Sequence, residues 1–434
     1  MKRFLKIILG LVILVVLCIL AIMFVPIQRS GPTQALAPDF KPEKGRGEYL
    51  AKMADCTSCH TSNDDEPFGG GYQVASPFGV IYSANITPDE NGIKNMTLDQ
   101  FRSALRDGIG KDGQLLYPAM PYENYRKISE PDIVALYDYF MNEVKPVSQK
   151  VHKTNLSFPF NQRWGIRLWN WYALSNEAGY QPRFDDEKLD RGAYLVESLG
   201  HCGACHTPRT VLYNQSALDD TGDKFLTGET IDGWYAPNLR HANSSLARWD
   251  DAEIKAYLQT GRNAHSAVVG PMQLVVSRSM QFASERDMDS IVAYLKHITL
   301  QGQAEKPVKN AQITTDMLTK ADPDMAIGAR LYIDNCNACH FVNGKGAAGV
   351  FPELDGAALI NAKDPSGLID VILNGARMPS TVKRPSDLAM PPFDWRLSDE
   401  DVAELATFLR SSWSNDASSV TAKDVATIRA KSAD

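Results

Sequence analysis

Basic charge and cysteine are both in short supply in this 434-residue chain. Lys and Arg number 45 against 52 Asp and Glu, a net charge of −7, so no basic field exists to hold nucleic acid. There is no long low-complexity tract, and 44% hydrophobic with 22% charged residues excludes a disordered or fibrous protein. No Gly-rich dinucleotide fingerprint follows a strand. Neither a Gly-x-Ser-x-Gly elbow nor a paired-carboxylate site stands out. Seven Cys in a chain this long are too sparse for a disulfide scaffold. What is present is a length sufficient for two to four domains of roughly 100–200 residues each.

One charge-free run is long. Ile7 to Val25 are 19 consecutive uncharged residues dominated by Ile, Leu and Val, flanked by Lys2, Arg3 and Lys6. About 20 apolar residues span a bilayer, whereas a signal-peptide core is usually about 7–15. The basic flank belongs in the cytoplasm, which places everything after Pro26 on the far side. Ala35-Leu36-Ala37 has the form of a cleavage site but lies well past the run, so residues 1–30 read as an uncleaved anchor in preference to a removed signal. Cys18, inside the run, reads as a small apolar residue.

The other six Cys fall into three identical spacings: Cys56-Thr-Ser-Cys59-His60, Cys202-Gly-Ala-Cys205-His206 and Cys336-Asn-Ala-Cys339-His340. Cys-x-x-Cys-His is the attachment pattern for c-type haem. The thiols add to the two vinyl groups, and the adjacent His lies beneath the iron. Zinc wants four ligands, and each copy offers three. A dithiol redox site wants a βαβ setting that the weak strand signal does not provide. Three covalently bound c-type haems are therefore expected, held by Cys56, Cys59, Cys202, Cys205, Cys336 and Cys339, with His60, His206 and His340 as metal ligands.

A sixth ligand is available at a similar place in each repeat. Met120, Met272 and Met390 follow their motif His by 60, 66 and 50 residues, and each has Pro as a direct neighbour. That suits a stiff, irregular loop presenting sulfur to iron. A Ser-x-x-Asp box opens an amphipathic helix 9, 12 and 8 residues further on, at Ser129, Ser284 and Ser398. Met280 and Met378 fit this pattern worse. Upstream of the motifs, Arg46-Gly-Glu-Tyr-Leu50, Arg191-Gly-Ala-Tyr-Leu195 and Gly328-Ala-Arg-Leu-Tyr332 start a short helix whose Gly lets another helix cross closely.

These repeats resemble class I cytochrome c domains. The exported chain resembles the triple-haem cytochrome c subunit of bacterial membrane-bound dehydrogenases, the type that serves alcohol, gluconate and sorbitol dehydrogenases. The stretches that carry the likeness are Leu116-Tyr-Pro-Ala-Met-Pro-Tyr122, Arg191-Gly-Ala-Tyr-Leu-Val196 through His201-Cys-Gly-Ala-Cys-His-Thr207, Ile231-Asp-Gly-Trp-Tyr-Ala-Pro-Asn238 and Gly270-Pro-Met272. They are spread over about residues 45–410. The resemblance implies electron transfer from a dehydrogenase catalytic subunit of flavin, quinoprotein or molybdenum type, through three haems, to ubiquinone. The chain itself would have no substrate site. It would sit in the inner (cytoplasmic) membrane with its haem domains in the periplasm.

The expected architecture is mainly α: three tandem class I cytochrome c domains at 40–150, 185–300 and 322–412 behind an N-terminal transmembrane helix. Residues 151–184 form an aromatic-rich linker, read as a connector packed between the first two domains in preference to a docking or membrane-interface belt. Residues 301–321 read as a polar linker, and 413–434 as a polar tail, frayed or in contact with a partner. His152, His201, His241, His265 and His297 do not recur between repeats and read as surface or propionate contacts. A multihaem peroxidase or oxidase with one open haem, or a free-standing relay to a terminal oxidase, are the alternatives.

Overall fold

A computed structural model describes residues 1–24, 27, 29–174, 177–242, 244–299, 311–386 and 388–432. Helix dominates among them, as the sequence leads one to expect. Strands are confined to three short antiparallel pairs: β1 (Gln73–Val74) with β2 (Ile81–Tyr82), β3 (Glu229–Ile231) with β4 (Trp234–Ala236), and β5 (Ala376–Arg377) with β6 (Ala389–Met390). The chain divides into two compact units. Unit 1 comprises Met1–Ala51, Cys59–Gln181 and Thr210–Asn214; unit 2 comprises Lys52–Ser58, Pro182–Arg209 and Gln215–Asp434.

Unit 1 begins with α1 (Lys2–Phe24), 23 residues and so about 35 Å long. Its span Arg3–Phe24 has a mean hydropathy of 3.5 and buries nothing against the rest of the chain. Residues 25, 26 and 28, which include the end of the apolar run, lie outside the described residues. Next come α2 (Arg46–Met53), α3 (Leu98–Asp107), α4 (Glu130–Asp138) and α5 (Ile166–Ala173). At Gly47, on α2, an added Cβ would collide with the Ala135 carbonyl oxygen of α4, so no larger residue permits this crossing. Leu50, Ile133, Leu136 and Phe140 are all buried. Helix α3 opens on a full capping box, Thr97 with Gln100, and closes at Gly108 with φ 62°. Its Arg102 and Arg106 both pair with the buried Glu130, at 2.7 and 3.0 Å, which gives that carboxylate the partners burial demands.

Unit 2 holds α6 (Glu187–Tyr194), α7 (Asp251–Thr260), α8 (Met272–Arg278) and α9 (Glu285–Ile298), then α10 (Ala311–Lys320), α11 (Ile327–Asn335), α12 (Ser366–Asn374), α13 (Asp399–Ser411) and α14 (Ala422–Ser432). The glycine-mediated crossing recurs twice. A Cβ on Gly192 of α6 would lie 2.6 Å from the Tyr294 Cβ of α9, and one on Gly328 of α11 would lie 2.8 Å from the Phe408 Cβ of α13.

The helix-start boxes are used differently in each repeat. Ser398 and Asp401 form the complete reciprocal box. Ser284 accepts from the Asp287 backbone N–H, while the Asp287 carboxylate is taken by Arg191 at 2.8 and 2.7 Å. Ser129 has the backbone geometry of a cap without a capping side-chain bond, and Asp132 pairs with Arg46 at 2.8 Å. In the third repeat Ile327 occupies the position of those arginines, and Asp401 stays in its cap.

The stretch after residue 300 and the C-terminal tail are more structured than their composition suggests. Residues 300–310 lie outside the described ones, but α10 follows at once and buries Thr314 and Leu318. The tail is part of a core: Trp413 is fully buried, and Val420, Val425 and Ile428 join Leu318, Tyr332, Leu373 and Leu405 in one apolar cluster. Burial of these three aliphatic side chains, rather than the Ala/Ser/Lys composition around them, fixes the last helix.

Candidate functional site

Each Cys-x-x-Cys-His sequence forms a single helical turn, over Cys56–His60, within Gly203–His206 and within Asn337–His340. The turn is closed by backbone bonds such as His206 N–H to the Cys202 carbonyl and His340 N–H to the Cys336 carbonyl, both 3.0 Å. None of the six motif thiols, nor Cys18, is in a disulfide. Burial pushes the Cys202 and Cys336 thiols up to about 12, so both are protonated at neutral pH.

The imidazoles share one arrangement. His60 Nδ1 lies 2.7 Å from the Ala84 carbonyl oxygen, His206 Nδ1 2.9 Å from that of Pro237, and His340 Nδ1 2.9 Å from that of Pro352. A carbonyl can only accept, so Nδ1 carries the proton in all three and Nε2 keeps its lone pair. Burial lowers the pKa of each ring and favours the neutral form that coordinates metals. A fixed tautomer with the second nitrogen open is the arrangement of a metal-ligating histidine.

A glycine completes each arrangement. Gly70, Gly228 and Gly346 donate their N–H groups to the carbonyls of His60, His206 and His340, at 2.8, 2.7 and 3.2 Å. All three are left-handed, with φ of 78°, 92° and 56°. A Cβ on Gly70 would meet the Ala84 carbonyl at 2.5 Å, one on Gly228 the Asn238 nitrogen at 2.8 Å, and one on Gly346 the Pro352 oxygen at 2.7 Å. The glycine therefore lets the backbone segment that orients the histidine come close. Motif spacing did not reveal this device, because the glycine and the carbonyl stand at different distances from His in each repeat. The available signal is a small residue or Pro followed by a polar and then an aliphatic residue: Ala84-Asn-Ile86, Pro237-Asn-Leu239 and Pro352-Glu-Leu354.

The three methionines stand in three different backbone settings, all half-buried. Met120 is in a tight turn, its N–H bonded to Tyr117 and its carbonyl to the Tyr122 N–H at 2.8 Å. Met390 is in β6, opposite Ala376, and packs on the apolar cluster that contains Cys336. Met272 differs from the expected loop: it is the first residue of α8, with Pro271 before it, a position where a fixed φ is compatible with helix. The competing methionines are engaged elsewhere. The Met378 sulfur lies 3.5 Å from the Arg262 guanidinium, and Met280 is 4% exposed inside the core. His265 is held at both ring nitrogens, by Glu253 at 3.0 Å and Glu353 at 3.1 Å, and His297 packs edge-on against Phe184.

Comparison with known proteins identifies the family. The cytochrome c family model matches residues 325–413. The gluconate 2-dehydrogenase cytochrome c subunit of Pantoea cypripedii is 41% identical over 395 residues, covering 88% of this chain and 89% of that one. The cytochrome c subunit of the quinone-type alcohol dehydrogenase of Gluconobacter oxydans is 40% identical over 390 residues, covering 88% and 81%. The fructose dehydrogenase cytochrome subunit of Gluconobacter japonicus is 38% identical over 436 residues, covering 93% and 85%. With thiol pairs, tautomer-fixed histidines and likeness along most of its length, the chain belongs to the family of dehydrogenase cytochrome c subunits, which carry covalently bound c-type haem.

Proposed function

We propose that the chain is a membrane-anchored, triple-haem electron carrier that takes electrons from a partner dehydrogenase and delivers them to ubiquinone. In this reading Cys56 and Cys59, Cys202 and Cys205, and Cys336 and Cys339 hold the three haems. His60, His206 and His340 are the proximal ligands, and Met120, Met272 and Met390 the distal ones. Three tandem class I cytochrome c domains at 40–150, 185–300 and 322–412 follow the α1 anchor and face the periplasm.

The observation that carries the proposal is the threefold recurrence of one construction: motif His Nδ1 on a backbone carbonyl, with a left-handed glycine against it. Bound there, a c-type haem supplies reversible one-electron transfer and no substrate chemistry of its own. The protein's part is to fix position and potential. Carbonyls of Ala84, Pro237 and Pro352 hold each ring in one tautomer and make Nε2 a better donor. The paired thiols, one helical turn apart, would hold the haem as thioethers. Met120, Met272 and Met390 would supply thioether sulfur, which gives a higher potential than a second imidazole would.

The proposed partner's chemistry is supported by the relatives, whose names specify gluconate, alcohol and fructose dehydrogenases. An alcohol- or sugar-oxidising catalytic subunit, of flavin, quinoprotein or molybdenum type, is therefore the proposed electron source. The test is spectroscopic. Adding the partner's substrate to membranes that hold the complex should develop the reduced c-type absorption band, and a short-chain ubiquinone should then bleach it. A band that develops but persists with quinone present contradicts the quinone arm. A band that never develops contradicts the dehydrogenase arm.

A further inference from the structure

Helix α5 in unit 1 has two apolar faces, and only one of them is used inside the unit. On the inner face Ile166 is buried with Ile109 and Leu115. Trp169 packs edge-on against Tyr122 at 5.6 Å, and Asn170 takes the Tyr122 hydroxyl at 2.9 Å while donating to the Asp107 carbonyl at 3.0 Å. On the outer face Leu168, Trp171 and Tyr172, spaced i, i+3, i+4, are 44%, 58% and 62% exposed. A water-facing helix places polar residues there. The apolar surface continues beyond the helix. Phe158 and Phe160 precede it, and the exposed loop Val211–Tyr213 is tied to it by the Trp169 indole N–H on the Leu212 carbonyl at 2.8 Å. Phe78 joins the two parts, stacked on Phe160 at 3.8 Å and edge-on to Tyr213 at 5.1 Å.

What lies over this surface follows from where α1 ends. Ile27, three residues past Phe24, packs on the same Ile109–Leu115–Ile166 cluster that seats α5. Ser30 then donates its N–H and hydroxyl to Asp107 at 2.9 and 2.6 Å, and Arg106 donates to the Gly31 carbonyl at 3.3 Å and the Thr33 hydroxyl at 3.2 Å. Three extended residues reach at most about 10 Å. The body of unit 1 is thus pinned to the very end of the apolar helix, with α5 at the point of attachment. The inference rests on the reading of α1 as a membrane span. At that depth lie lipid headgroups, where the amphipathic rings of Trp and Tyr are favoured.

We infer that Leu168, Trp171, Tyr172, Phe158, Phe160 and Val211 form a second membrane-contact surface that sits in the interfacial layer of the bilayer. It adds a second point of membrane contact to the attachment at α1 and so holds unit 1 in one orientation on the membrane. Full-length, haem-loaded protein in phosphatidylcholine vesicles tests this. In a Cys18→Ala background, nitroxide labels are placed at Trp171→Cys and Val211→Cys, with Asp65→Cys, on an exposed charged loop of unit 1, as the aqueous reference. All are surface positions, and an unchanged c-type spectrum reports folding. The expected result is that Trp171 and Val211 labels are relaxed by lipid-soluble oxygen and at least several-fold less by an aqueous nickel chelate than the reference. Nickel accessibility equal to the reference overturns the proposal, since the surface then faces water. Low accessibility to both agents also overturns it, because protein then covers the surface. Intact mass reports separately on the anchor: a chain lacking α1 sinks the span reading, while the two labels still decide whether the surface touches lipid.

Discussion

Gly192 and Tyr294 approach so closely that a methyl group on the glycine would stand 2.6 Å from the Tyr294 Cβ and collide with the Ser290 carbonyl oxygen. The crossing of α6 over α9 therefore depends on hydrogen as a side chain. Gly192→Ala should destabilise unit 2 by about 1–3 kcal/mol through overpacking. Calorimetry checks this against Gly165→Ala, where no atom lies within 4 Å and little change is expected.

Asp55 is buried, and burial raises its pKa from 3.8 to about 7, against the opposing hydrogen bond from Ser58. Folding thus favours the protonated acid. Its contribution to stability is therefore complete below pH 3.8 and is lost as pH rises through about 7. Asp55→Asn keeps a neutral side chain at every pH and tolerates the left-handed φ of 51°. The variant should equal the parent in acid and exceed it above neutrality by up to about 4 kcal/mol. Denaturant melts at pH 4 and 8 measure the difference; equal gains at both would contradict the assignment.

The C-terminal helix belongs to the apolar cluster of the third repeat. Removing residues 419–434 strips Val420, Val425 and Ile428 from that cluster, and each fully buried aliphatic side chain is worth about 1.5–3 kcal/mol. The truncated chain should lose protease resistance across residues 311–411 first. A truncation as stable as the full chain would show that α14 contributes no packing.

On the proposed ligand set, Met→His at position 120, 272 or 390 should lower the potential of one haem in each variant, because imidazole would replace thioether there. Spectroelectrochemical titration separates the three. An unshifted titration for Met390→His would remove Met390 from the ligand set, and the same logic applies to Met272 at the start of its helix.

The pentapeptides, the glycine crossings at Gly47, Gly192 and Gly328 and the capping residues Ser284 and Ser398 are legible in sequence because each is a local pattern at near-constant spacing. The carbonyls of Ala84, Pro237 and Pro352 are not, since they lie 24, 31 and 12 residues beyond their histidines on loops of unequal length. Only the fold brings each to its ring. The same holds for α14: few apolar residues in a polar stretch give a weak period, and tertiary burial of Val425 and Ile428 makes the helix. Ser129 keeps only the backbone geometry of a cap, and pairing of Asp132 with Arg46 does not account for it, since Asp287 is paired with Arg191 while Ser284 still caps. The aromatic density of 151–184 is legible, but which of its rings face outward is not until the inner contacts of α5 are known.

The central claim is that all three motifs are working haem sites. The most direct measurement is the ratio of haem to chain in purified protein, from the pyridine haemochrome spectrum and quantitative amino-acid analysis. A ratio near three is expected, with each haem surviving denaturation on its Cys pair. A ratio of two or less would contradict it.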